Sequence, residues 1–156
     1  MPGFYYKDVN APKPNHPRRV GVAALIERHS SLLLELRRDP PGWGLIAGSA
    51  GDDESLPDAL CREVAEETGL VVSDYELFGL FSHPQRIVQY ADGNTFQIIT
   101  IAFTVGVDDF RPQRPSSESD DLRFVSKDEL QGLDVVATHR AIIDCYLSAG
   151  APPYIE

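Results

Sequence analysis

Between Gly48 and Leu70 the chain reads GSAGDDESLPDALCREVAEETGL, with its acids at fixed offsets between glycines. Gly48 is followed by Glu54, then by Arg62-Glu63, Glu66-Glu67 and Gly69-Leu70. Ser55-Leu56-Pro57-Asp58 is a helix start: Ser55 can accept a first-turn amide hydrogen bond, Pro57 tolerates the first turn, and Asp58 complements the helix dipole. Gly69 is a stop, because it can take the left-handed conformation that closes a helix. Between these caps Leu56, Leu60 and Val64 recur every four residues and predict an apolar, core-facing stripe. Glu67 falls on that stripe, Glu63 at its edge, and Glu66 one step further toward solvent. A carboxylate aimed at a core is costly unless something positive meets it. Three of them at a helix C-terminus also oppose the macrodipole and repel one another. A hard divalent cation with oxygen ligands relieves both penalties, and Mg2+ held by carboxylates beside a phosphate is the usual arrangement. A solvated acidic face would account for Glu66 but not for Glu67 on the apolar side.

The elements that must position this helix can be read on either side of it. Residues 1 to 18 carry Pro2, Pro12, Pro14 and Pro17 and form an extension too proline-rich for a helix. Its aromatics, Phe4, Tyr5 and Tyr6, could dock on the domain or on a second copy of the chain, and we expect a homodimer through them. Arg19 to Glu27 and Ser31 to Leu36 are apolar runs separated by a short polar turn, consistent with two strands. After an Asp39-Pro40-Pro41-Gly42 break, Leu45 to Ala47 makes a short strand into the glycine-rich loop. Val71 to Phe81 is rich in strand formers. Ile87 to Tyr90 and Phe96 to Val107 flank the hairpin turn Asp92-Gly93-Asn94. A polar loop, Asp108 to Asp121, should be mobile or lie over the site. Leu122 to Val125 is a further strand, Lys127 to Gln131 a short helix, and Thr138 to Ala149 a final helix. This order predicts one domain over residues 19 to 150, an α/β sandwich, with a tail over residues 151 to 156.

With 156 residues a single domain with a real core is expected. Cys61 and Cys145 are far apart in sequence and lie in helical patterns, so they read as small buried hydrophobes rather than a disulfide or zinc pair. No apolar run approaches a membrane span, and the start MPGFYYKDVN lacks a secretion signal, which leads to an expectation of a cytoplasmic protein. A net charge of -10 argues against binding nucleic acid through its phosphates. A small phosphate substrate remains compatible, and one or two arginines, such as Arg37 in the Arg37-Arg38 pair, could clamp it.

The 23 residues from Gly48 to Leu70 resemble, at every specified position, the signature box of the Nudix hydrolases. The resemblance implies an α/β/α sandwich with a mixed central sheet, and an enzyme that uses Mg2+ or Mn2+ to hydrolyse a nucleoside diphosphate linked to another moiety. By the matched positions, Glu63 and Glu67 are implied as metal ligands, with Glu66 a further ligand or the water-orienting base. Ala47, before the box glycine, is implied to offer its backbone carbonyl to metal, and Arg62 to orient a neighbouring carboxylate. Many relatives begin the box with Pro-Gly-Gly where this chain has Ile46-Ala47-Gly48, a change that the backbone carbonyl survives, and many have glycine at the position of Asp53. Glu118 stands where family members often place a loop acid that completes the metal site or acts as base; it reads equally as an ordinary loop acid.

The substrate is less constrained. Gly48 would let backbone approach the ligand closely, and Trp43 could stack on a base or simply pack in the core. Pro84 lies near a proline that similar ADP-ribose hydrolases carry after the box, which favours ADP-ribose or a nucleotide sugar. House-cleaning of modified nucleoside triphosphates, and a regulatory module that binds nucleotide without turning it over, are the alternatives.

Overall fold

The turn between the first two apolar runs is His29-Ser30, and both residues have positive φ, 49° and 61°. That is the conformation a tight two-residue hairpin requires. It joins β2 (Arg19–Arg28) to β3 (Ser31–Arg38), which pair antiparallel through Glu27↔Leu32 and Arg28↔Ser31. These strands belong to a computed structural model that describes all 156 residues. The remaining elements are β1 (Gly3–Tyr6), β4 (Pro41–Ser49), α1 (Leu56–Thr68), β5 (Asp74–Phe81), β6 (Arg86–Gln89), β7 (Thr95–Gly106), β8 (Ser119–Ser126), α2 (Lys127–Gly132), α3 (Ala137–Leu147) and β9 (Tyr154–Ile155).

The strands form one mixed, curled sheet in the order β1-β6-β7-β2-β4-β3-β8, with β5 and β9 branching from β7. β2 and β7 run parallel, as do β5 and β9, and the other pairs are antiparallel. Alternation along β2 divides the core. Ala23 and Leu25 face a cluster that includes Ile142 and Ile143 of α3, while Val22, Ala24 and Ile26 face Leu60 and Val64 of α1. Helices thus cover both sides of the sheet in a single α/β domain, as expected. Each fully buried Leu or Val contributes on the order of 1.5–3 kcal/mol, so the α1 stripe fixes that helix against β2 and β4.

The caps of α1 are those the sequence predicts. The Ser55 hydroxyl accepts from the Asp58 N–H, and Gly69 closes the helix at φ 73°. Several expectations change. β4 begins at Pro41 rather than Leu45, because Arg37 and Arg38 of β3 pair with Gly42 and Pro41 across a tight turn, and a proline is tolerated as the first residue of a strand. β5 begins at Asp74 rather than Val71. The extension and tail contribute strands: β1 pairs antiparallel with β6, and β9 lies parallel to β5. Cys61 is exposed and Cys145 only half-buried, both as free thiols. Cys61 sits one residue off the apolar stripe, so α1 turns it outward.

Candidate active site

Helix α1 brings Glu63 and Glu67 against the sheet, leaving them 9% and 7% exposed, while Glu66 stays at the surface. Arg62 ties the acids together. Its guanidinium donates to both Glu54 carboxylate oxygens at 2.6 and 3.0 Å, to Glu63 at 2.8 Å, to Glu66 at 3.1 Å and to the Ser49 carbonyl at 2.9 Å. The Gly51 N–H also donates to Glu54 at 2.7 Å. Arg62 and that amide hold the Glu54 carboxyl down at about 2. Burial pushes the Glu63 carboxyl up, and Arg62 only partly offsets it. Gly48 on β4 leaves space for the Glu63 carboxylate beside the backbone of the strand.

A further acid, Glu35, joins this group from β3. It is 1% exposed, ion-paired with Arg37, and within reach of Glu67. Burial pushes its carboxyl up to about 8, Arg37 opposes the shift, and Glu67 adds to it. The sequence reading did not select Glu35, although a signal existed: it is the lone acid in the run SLLLEL, where alternate residues on both faces are buried. Glu67 in turn accepts a hydrogen bond of 2.8 Å from the Ser116 hydroxyl. Ser116 belongs to the polar loop after β7, which is therefore drawn over the site.

Two adjoining clefts open here, and both are lined by Arg37 and Tyr90. The first is acidic, with Glu35, Glu67 and the exposed loop acid Glu118 in its wall. The second, partly open to solvent, is lined by Phe4, Val88, Ile98, Arg19, His139 and the β4 segment Ala47 to Ser49. Arg37 sits at the junction, where its guanidinium also reaches the Ala47 carbonyl at 3.4 Å. Glu63, Glu66, Glu67, Arg62, Ala47, Gly48, Arg37 and Glu118 are thus gathered in one region.

Trp43 and Pro84 lie outside it. The Trp43 ring packs on the α3-side core under the Arg123 guanidinium, 4.9 Å from its centroid, and lines neither cleft. Pro84 is exposed in the β5–β6 turn, also away from both clefts.

The donor set is all oxygen, which suits a hard divalent cation. Five carboxylates, from Glu35, Glu54, Glu63, Glu66 and Glu67, meet only two guanidiniums, from Arg62 and Arg37. Carboxylates therefore outnumber guanidiniums, and burial raises the Glu35 carboxyl despite its Arg37 partner, so the residues fit a bound cation. No three acids converge at ligation distance, since Arg62 and Ser116 hold Glu63, Glu66 and Glu67.

The model of the NUDIX domain matches residues 15–145. An ADP-ribose pyrophosphatase from Methanocaldococcus jannaschii is 33% identical over 94 residues, covering 58% of this chain and 53% of that protein. A MutT-like protein from Streptomyces ambofaciens is 32% identical over 112 residues, covering 71% of this chain and 66% of that protein. The chain thus aligns with about half to two thirds of the length of these relatives. Among solved structures, a MutT NUDIX hydrolase from Burkholderia pseudomallei superposes with a TM-score of 0.67 at 24% identity, over 83% of this chain and 98% of that one. An ADP-ribose pyrophosphatase from Streptococcus suis gives 0.64 at 18%, over 88% and 98%. At those identities the structural likeness concerns the fold. The domain match over most of the chain, with the acid-bearing helix and its arginine tether inside it, shows that this protein belongs to the Nudix family.

Proposed function

We propose that the protein is a metal-dependent pyrophosphohydrolase that cleaves a nucleoside diphosphate linked to another moiety. The observation that carries this reading is the junction at Arg37, where an acid-rich cleft suited to a cation meets an aromatic cleft suited to a nucleoside. Mg2+ or Mn2+ would be held by Glu63, Glu67 and Glu66 with the Ala47 carbonyl, and Glu35 is positioned to join them. Bound there, the cation would neutralise phosphate oxygens and lower the pKa of its water. Arg62 keeps Glu63 and Glu66 in place before substrate arrives, which is the positioning that phosphoryl transfer rewards. Arg37 donates to a phosphate oxygen at the junction, and Gly48 lets backbone come close to it. Glu118 and Glu66 are the two candidate bases for the attacking water.

ADP-ribose or a nucleotide sugar is favoured slightly as substrate, supported by the relative named ADP-ribose pyrophosphatase. The MutT-like relative, aligned over more of this chain, supports a nucleoside triphosphate as the second reading. A phosphate-release panel of ADP-ribose, nucleotide sugars, dGTP and oxidised triphosphates, with Mg2+ and with excess chelator, tests both. Turnover that persists in chelator rejects the metal-dependent reading. A higher kcat/KM for a triphosphate than for every nucleotide sugar replaces the first substrate with the second. Binding of ADP-ribose without any turnover would instead make the domain a nucleotide-binding module.

No helix is long and apolar enough to cross a membrane. A cytoplasmic site of action belongs to the proposal and is checked by cell fractionation. For the homodimer, the structure offers an in-chain alternative: Phe4 packs on His139, its ring centroid 5.5 Å away, and the Tyr6 hydroxyl donates to Glu156. Comparing the solution mass of the full chain with that of one lacking residues 1 to 15 decides between them.

A further inference from the structure

His139, near the start of α3, is 4% exposed and lines the aromatic cleft. Its Nδ1 accepts a hydrogen bond of 3.0 Å from the Leu45 backbone N–H. A nitrogen that accepts carries no proton, so in the uncharged ring the proton resides on Nε2. Nε2 makes no hydrogen bond to the protein, yet it is absent from the buried polar atoms sealed away without a partner. It therefore borders the open volume of the cleft that the ring lines.

The ring is held in this pose from several sides. Gly44 admits it: a Cβ there would lie 2.7 Å from Nδ1. Phe4 of β1 packs on it at a tilt of 46°. Burial, followed by the Arg37 and Arg86 guanidiniums, pushes the imidazole down to about 3, so the ring is uncharged at physiological pH. A polar atom at the wall of a cleft costs little while water reaches it, but must be matched when a ligand displaces that water.

The geometry points to His139 as a specificity-determining donor, whose Nε2–H is matched by an acceptor atom on the base or sugar of the nucleotide in the aromatic cleft. This rests on the reading of that cleft as a nucleoside subsite, and extends it to one residue and one hydrogen-bond polarity. A ligand that places a methyl or amino group against Nε2 would be rejected.

Asparagine and glutamine separate the two nitrogens. In His139→Asn the shorter side chain would present an acceptor near the Nδ1 position and no distal donor, whereas in His139→Gln the longer one would present a distal donor and lose the acceptor for Leu45. Binding of AMP, GMP, UMP and ribose 5-phosphate is measured on the full chain with chelator present, so that turnover plays no part. For the nucleotide that binds wild type best, His139→Asn should raise Kd on the order of 10-fold, the loss expected for one hydrogen bond. His139→Gln should recover most of that affinity at a lower Tm. Should His139→Asn not fold, 15N spectra of the wild type carry the test: the ring should show an Nε2–H tautomer whose proton moves downfield on nucleotide binding. An Nδ1–H tautomer, an unmoved Nε2–H signal at saturation, equal affinity in His139→Asn, or no binding of any of the four probes would each overturn the inference. Loss of turnover in the substrate panel alongside His139-dependent binding would reject the hydrolase reading and leave this one standing.

Discussion

The Glu63 carboxylate occupies the space that a side chain at Gly48 would fill. An ideal Cβ at Gly48 would lie 2.0 Å from the Glu63 carboxyl carbon and 2.1 and 2.3 Å from its oxygens. The box glycine and the box glutamate are thus one steric unit, and Arg62 holds the acid in that unit at 2.8 Å.

Gly48→Ala should therefore displace Glu63. A shift of about 1 Å in a catalytic group costs about 100-fold in rate, and overpacking costs about 1–3 kcal/mol in stability. Expected are a fall in kcat/KM of about that size and a lower Tm, measured on the preferred substrate. Wild-type kcat/KM in this variant would remove Glu63 from the catalytic apparatus.

Glu67→Gln keeps shape and volume and removes one of several crowded charges at the end of α1. Activity should drop on the order of 100-fold, as when one preorganised electrostatic partner is lost. Tm without metal should hold or rise slightly, because repulsion among the acids at the C-terminal end of α1 is relieved and Ser116 can still donate to the amide oxygen. Near-normal turnover would show that Glu67 is not a ligand.

Glu35→Gln tests the acid that only the fold revealed. Its carboxyl is raised from 4.5 to about 8 by burial, so the folded form retains a proton that the unfolded chain has released between those values. Stability from this group is full below pH 4.5 and declines as pH rises toward 8. At pH 7 without metal the glutamine variant should therefore melt higher than wild type, and at pH 4 the two should converge. Metal affinity, read by calorimetry, should fall on the order of 10-fold. A lower melting temperature at pH 7 would contradict the uncompensated burial of Glu35.

His139 has the opposite sign. Its folded value is about 3 against an ordinary 6.5, so below 6.5 the unfolded chain binds a proton that the folded one does not. The stability it contributes is present above pH 6.5 and is lost as pH falls toward 3. The difference in unfolding free energy between wild type and His139→Asn, followed by urea titration, should be flat above pH 7 and shrink steadily below 6.5. A difference independent of pH would mean that the folded imidazole takes up its proton as readily as the unfolded one, against the depression that burial implies.

Much of this protein was legible before folding because the signals are local. Ser55 and Gly69 cap α1 through their own hydrogen bond and φ, and Leu60 and Val64 turn to the core by helical period alone. The same period placed Glu67 inside and Glu66 outside, and the four-residue spacing put Arg62 beside Glu66. Hairpin turns and apolar runs marked out β2, β3, β6 and β7, so the α/β class and the acid-bearing helix followed from sequence.

What the sequence could not determine are the relationships made by chain crossing. Glu35 lies beside Glu67 only because β3 packs next to β4 in the sheet that α1 covers. His139 reaches the Leu45 N–H across 94 residues, and Phe4 closes on His139 because β1 adds to the edge offered by β6. Short strands such as β1 and β9 have too few residues to be stable alone and exist only where an edge supplies hydrogen bonds. Trp43 could stack on a base or fill a core, and only the fold shows it half-buried against the α3-side core under Arg123. Local periodicity fixes which way a residue faces; which distant residue it meets is set by strand order and burial, which are properties of the whole chain.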